Sequence, residues 1–192
     1  MTDPNALPAL APDLIDPGDV QPGEASKTPG DAAYAWHLLA EGDSWFTIAA
    51  IPSSNLLYEL RLARWTQILN LAYPGDTLRH LSTLAGNADL RRFVARRNFN
   101  VRWDALVLSG GGNDLIDSAP RLLRRAPPAG ADAADPQSYL DDAAIGPFLA
   151  GLQRDFARIA ALRDEPESLS RGCPVFLHTY DYPTPRNEPA RF

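Results

Sequence analysis

Cysteine, methionine and lysine each occur once in the 192 residues, as Cys173, Met1 and Lys27. One cysteine excludes an internal disulfide and any metal site built from several thiolates. Histidine is scarce too: His37, His80 and His178 lack the spacing of a zinc hydrolase. No uninterrupted apolar run approaches the ~20 residues that span a bilayer. No basic stretch leads into an apolar core at the start of the chain, so no secretory signal is read and a cytoplasmic location is expected. Gly-x-Gly-x-x-Gly and Gly-Lys-Ser/Thr are missing, which argues against a nucleotide-binding loop. Gly-x-Ser-x-Gly is missing as well, which argues against the nucleophile elbow of an α/β-hydrolase.

What is present reads as one folded domain with a tail. Hydrophobic residues make up 45% and charged residues 22% of the chain, which is ordinary globular usage. The net charge of −6 is concentrated at the start, where residues 1–31 carry six acids against Lys27. An acidic balance argues against general nucleic-acid binding. The arginines between Arg91 and Arg102 read as a solvated helix face. Six of the 18 prolines fall in residues 1–30. Proline fixes φ and removes a donor, so residues 1–31 are expected to be an extended acidic arm. Leu7, Leu10, Leu14 and Ile15 are the residues that would pack it on the body, residues 32–192.

The body alternates between two periods. Residues 34–40, 67–72, 105–109 and 175–180 read as strands. Residues 55–64, 77–97 and 148–162 read as helices, the second interrupted near Gly86-Asn87. Residues 117–146, rich in Pro, Gly and Asp, read as a long loop. Strands alternating with helices predict parallel β-α-β units. In open parallel sheets, sites form beyond the carboxyl ends of the strands.

Three of those ends carry chemistry. The first reads Glu41-Gly42-Asp43-Ser44-Trp45, with a serine hydroxyl just past a buried strand, where neighbouring amides point into a cleft. The second reads Tyr73-Pro74-Gly75-Asp76-Thr77, where a glycine lets the backbone come close to a ligand. The third reads Ser109-Gly110-Gly111-Gly112-Asn113-Asp114, where Asn113 supplies a side-chain amide donor.

Gly42-Asp43-Ser44, Asn70 through Gly75-Asp76-Thr77, and Gly110-Gly111-Gly112-Asn113-Asp114 together resemble the SGNH (GDSL-type) hydrolases, from about residue 35 onward. The resemblance implies a three-layer α/β sandwich with a five-stranded parallel sheet in flavodoxin-like order. It implies Ser44 as nucleophile, with an oxyanion hole made of the Ser44 and Gly75 N–H groups and the Asn113 side chain. The substrate would be a small ester or an acylated carbohydrate or lipid, hydrolysed without metal or organic cofactor.

One part of the family's pattern is missing. Its base comes from a late Asp-x-x-His pair, and no histidine here has Asp three positions earlier. The domain therefore reads either as incomplete at its C-terminus, with a fifth strand and final helix still to come, or as having lost its base. Of the three histidines, His178 is the candidate substitute base or cleft residue, with Tyr180, Asp181 and Tyr182 close behind. His80 reads as a surface-helix residue four positions after Asp76, His37 as a strand residue, and Asp43 as a brace for the turn. A serine without a base is a poor nucleophile, although a site stripped of one triad member keeps about 10³–10⁴ of rate over water. The alternative is a catalytically impaired module that binds carbohydrate or acyl groups, with Trp45, Phe46, Trp65 and Trp103 as stacking candidates.

Overall fold

The computed structural model describes residues 7–20, 28–47, 55–83, 87–95 and 101–178. Five strands are present: β1 (Asp13–Ile15), β2 (Trp36–Gly42), β3 (Thr66–Asn70), β4 (Ala105–Ser109) and β5 (Val175–Leu177). They form one sheet in the order β1-β3-β2-β4-β5, every pairing parallel. The helices are α1 (Ser44–Thr47), α2 (Leu56–Glu59), α3 (Leu78–Leu81), α4 (Ala88–Val94), α5 (Gly112–Leu122) and α6 (Asp142–Arg163).

Alternation along the strands builds two cores, because successive side chains leave opposite faces of a sheet. Leu39, Leu69, Leu106 and Leu108 face one side, where Leu78, Leu81, Phe93, Trp103 and Ile159 pack on them. Ala40, Ile68 and Val107 face the other, against Phe46 and Leu57. The first face is covered by α3, α4 and α6, and the second by α1 and α2, giving the three layers expected of an α/β sandwich. Burial on both faces explains why the central strands are continuous apolar runs.

The four strands of the body lie in the order β3-β2-β4-β5, the first four positions of the flavodoxin-like arrangement. The fifth strand of this sheet, however, comes from the proline-rich segment. Asp13, Leu14 and Ile15 pair with Gln67, Ile68 and Leu69 at the edge. Proline on both sides keeps this strand short, and an edge tolerates the missing donors.

Several elements differ from their sequence-based expectation. The leucine-rich stretch 55–64 is helical only over Leu56–Glu59. Leu60 is extended, and Leu62 turns to bridge Leu10 of the arm. The stretch 77–97 holds two helices with separate N-caps: the Thr77 hydroxyl accepts the His80 N–H and the Asn87 side chain accepts the Leu90 N–H. Residues 84–86 and 96–100, with part of the arginine-rich stretch, lie outside the described residues. The expected loop 117–146 is shorter than its composition suggested. The helix α5 runs through Pro120 to Leu122, and α6 begins at Asp142 under a cap from Asp141. Strand β5 is described as far as Leu177, and the stretch with Tyr180, Asp181 and Tyr182 lies outside the described residues.

Candidate active site

Ser44, Gly75 and Asn113 stand just past the carboxyl ends of β2, β3 and β4, three neighbouring parallel strands. Four local contacts tie these ends together. The Tyr73 N–H donates to the Gly42 carbonyl at 2.9 Å, which docks the turn after β3 on the end of β2. Gly42 lies so close to Ser109 that a Cβ there would sit 2.6 Å from the Ser109 Cβ and closer still to its carbonyl oxygen. The Asn113 side-chain amide donates to the Asp76 carbonyl at 2.8 Å. The Asp114 carboxylate accepts the Leu78 N–H at 2.8 Å. The first turn of α5 is thereby clamped on the segment 75–78.

Ser44 is the first residue of α1, half-buried, between buried Asp43 and exposed Trp45. Asp43 does brace this turn: its carboxylate accepts the Trp45 N–H at 3.2 Å, and its carbonyl accepts the Phe46 N–H at 3.1 Å. The Ser44 N–H belongs to the first turn of a helix, where no intrahelical acceptor exists. Gly75 has φ +84°, a conformation that suits glycine, and a Cβ added there would meet nothing within 4 Å. Asn113 has two amide hydrogens, and the bond to Asp76 takes one.

The histidines divide. His37 Nε2 lies 2.9 Å from the Asp31 carbonyl, at the opposite end of β2. His80 Nδ1 lies 2.6 Å from Asp76 Oδ1, on an exposed part of α3. Burial pushes the Asp76 carboxyl up, and the bond to His80 works against that. His178, just past β5, reaches the site from the far edge of the sheet. Its Nε2 lies 2.7 Å from Ser109 Oγ, which in turn donates to Asp43 Oδ1 at 2.5 Å. The Trp45 and Phe46 rings flank the imidazole, with centroids 6.2 and 5.8 Å away. Thus Asp43 through Ser109, and Trp45 directly, hold His178 from both sides of Ser44. No hydrogen bond joins Ser44 to His178 among the described residues.

Ser109 is the member of this cluster that sequence reasoning passed over. Its signal was a lone hydroxyl ending a buried apolar run, at the same strand level as Gly42. Glu41, the residue before Gly42, is also fully buried. Burial pushes its carboxyl up to about 7, although the Asn87 side chain and the Gly42 N–H both donate to it. Of the aromatic stacking candidates, Phe46 and Trp103 belong to the cores, while Trp45 is 45% and Trp65 62% exposed.

No family profile matches the sequence, and no curated protein does. Among solved structures, the chain is similar to the crystal structure of LAE5, an alpha/beta hydrolase enzyme from the metagenome of Lake Arreo, Spain. Identity is 15% and the TM-score 0.32, over 67% of this chain and 56% of that one, so the likeness spans little more than half of the other protein.

Proposed function

We propose that the chain is a serine-dependent hydrolase of carboxylic esters with an SGNH-type site. The observation that carries this reading is the joining of Ser44, Gly75 and Asn113 at three adjacent strand ends by the contacts around Gly42 and Asp76. In this reading Ser44 Oγ attacks the ester carbonyl carbon and its proton passes to a base. The carbonyl oxygen becomes an oxyanion facing the Ser44 and Gly75 N–H groups and the second Asn113 amide hydrogen, where preorganised donors stabilise developing charge. Collapse breaks the bond to the alcohol, which leaves with the proton. Water then attacks the acyl-enzyme with help from the same base and releases the acid.

His178 is the base this arrangement favours. When its Nε2–H donates to Ser109, the lone pair of the neutral ring lies on Nδ1. A bond to one ring nitrogen fixes the role of the other, the logic that an orienting carboxylate serves in a triad. The lack of a hydrogen bond between Ser44 and His178 among the described residues gives weight to a second reading, a module that binds a carbonyl or acyl group without hydrolysing it. Catalytic hydrogen bonds are often loose before substrate binds, so the two readings divide on chemistry rather than geometry.

The test is intact-mass spectrometry after treatment with a fluorophosphonate, on the chain and its Ser44→Ala variant. One adduct that vanishes in the variant supports an activated Ser44. A folded chain that takes no adduct overturns the hydrolase reading in favour of the binding module.

A further inference from the structure

A cleft of about 710 Å³ lies beside the strand ends, between α3, α5 and α6. That is within the range of small-molecule sites, roughly 300–1,000 Å³. Its end nearest the candidate site is formed by Thr77 and Asp114, each one residue past Asp76 and Asn113. Its walls are mixed. Leu122, Pro147, Phe148 and Leu152 supply apolar surface, while Arg79, Arg121, Arg154 and Arg158 stand around it as exposed guanidinium groups.

The charges there do not cancel locally. Of the three lining carboxylates, Asp114 is committed to the Leu78 N–H. Asp155 is committed to the Ser82 hydroxyl at 2.9 Å and to Arg158 at 3.0 Å. Arg121 donates to a neutral partner, the Ser118 hydroxyl, at 3.2 Å. Arg79 and Arg154 make no ion pair among the described residues. Setting aside the Arg158–Asp155 pair, three guanidinium groups from three different helices, Arg79, Arg121 and Arg154, face two carboxylates, Asp114 and Asp117, which leaves the cleft one net positive charge. An isolated exposed ion pair contributes little. Several guanidinium groups around an apolar wall select a ligand that is both apolar and anionic.

The geometry points to a binding subsite for a carboxylate or phosphate carried on an apolar stem. Resting on the reading of Ser44 above, the substrate is an ester whose acyl or alcohol part ends in such an anion. The stem lies on the α5–α6 wall, the anion meets Arg121 and Arg154, and the ester carbonyl is directed toward Asn113.

Two measurements separate this inference from the reading it rests on. Binding of 4-phenylbutyrate and of the neutral 4-phenylbutanol is followed by calorimetry in low and in 0.5 M salt. Turnover is compared for p-nitrophenyl butyrate and mono-p-nitrophenyl glutarate. The acid should bind about ten-fold more tightly than the alcohol, and salt should erase most of that difference. The double variant Arg121→Gln/Arg154→Gln should erase it too. Both side chains are exposed, so the variant should melt with the parent, and the salt series needs no variant at all. The glutarate ester should show a kcat/KM about ten-fold above the butyrate ester, and the variant should lose that preference. Equal binding of acid and alcohol, or a preference that survives in the variant, overturns the subsite. Discriminating binding with neither ester hydrolysed keeps the subsite and removes Ser44 from catalysis. Turnover of the butyrate ester without discrimination in binding does the reverse.

Discussion

Ser109 Oγ lies 2.7 Å from His178 Nε2. Ser109 ends β4 and His178 follows β5, so this bond closes the site across neighbouring strands. Ser109 is fully buried, and its own proton goes to Asp43. Ser109→Ala therefore removes a partner from a buried carboxylate and from the imidazole at once. A buried polar group that loses its partner costs about 1–3 kcal/mol, so the melting temperature should fall by several degrees. If His178 is the base, fluorophosphonate labelling of Ser44 should also slow by ten-fold or more at a temperature where the variant is folded. Labelling at the parent rate would separate His178 from the chemistry and leave Ser109 a purely structural role.

Glycine substitutions should have opposite effects at two places. A Cβ on Gly42 would run into the backbone of Ser109, in the middle of the sheet, where neither strand can yield. Gly42→Ala should cost at least ~3 kcal/mol, the range of severe core strain, and lower the melting temperature by roughly 10 °C. Gly151 lies inside α6, where an added Cβ would meet the Arg154 guanidinium at 3.8 Å, an ordinary van der Waals contact. Gly151→Ala should stabilise by about 0.5–1 kcal/mol, because glycine gives up more backbone freedom in a helix. Thermal melts of the two variants side by side check both signs.

The sheet was legible because burial on both faces leaves apolar runs, and 105–109 matches β4 residue for residue. Its edge was less so. Asp13–Ile15 is three residues between prolines, and only pairing with Gln67, Ile68 and Leu69 makes it a strand. Helix lengths were misjudged where a tertiary contact outweighs periodicity, as when Leu62 leaves the α2 register to meet Leu10. Proline misled in the other direction, since α5 and α6 carry Pro120 and Pro147 inside them. At the site, the motif residues announce themselves by type. The contacts that assemble them are backbone bonds and a serine 66 residues from Asp43, and no local pattern encodes those.

Asn113 has a structural bond and a proposed chemical role, and the kinetics can tell them apart. Asn113→Asp keeps the size and removes both amide hydrogens. Losing an oxyanion donor should lower kcat by roughly 10²–10³ with little change in KM. Losing only the hold on the Asp76 carbonyl would disturb the turn, raise KM and spare kcat. Steady-state rates on p-nitrophenyl butyrate distinguish the two, with Ser44→Ala as the blank that should show no enzymatic turnover.

Glu41 sets a pH dependence of stability that its variant should remove. Its carboxyl is raised from the usual 4.5 to about 7, mainly because burial penalises the charged form. The folded chain therefore binds a proton more tightly than the unfolded chain does. That contribution is complete below about pH 4.5 and is lost as pH rises through about 7. A shift of this size corresponds to roughly 3 kcal/mol at most. The depressed Asp164 carboxyl, held near 2 by Arg163, acts at lower pH, and the Tyr34 hydroxyl, raised to about 12 by Asp13, acts at higher pH. The interval from pH 5 to 8 thus isolates Glu41 from both. Glu41→Gln keeps an acceptor for the Gly42 N–H, turns an amide toward the Asn87 amide and carries no charge. In urea unfolding its stability should stay level from pH 5 to pH 8, an interval over which the parent loses about 2–3 kcal/mol. Parallel curves for parent and variant across that interval would mean that Glu41 stays charged in the fold, with Asn87 and the Gly42 N–H sufficient to hold it.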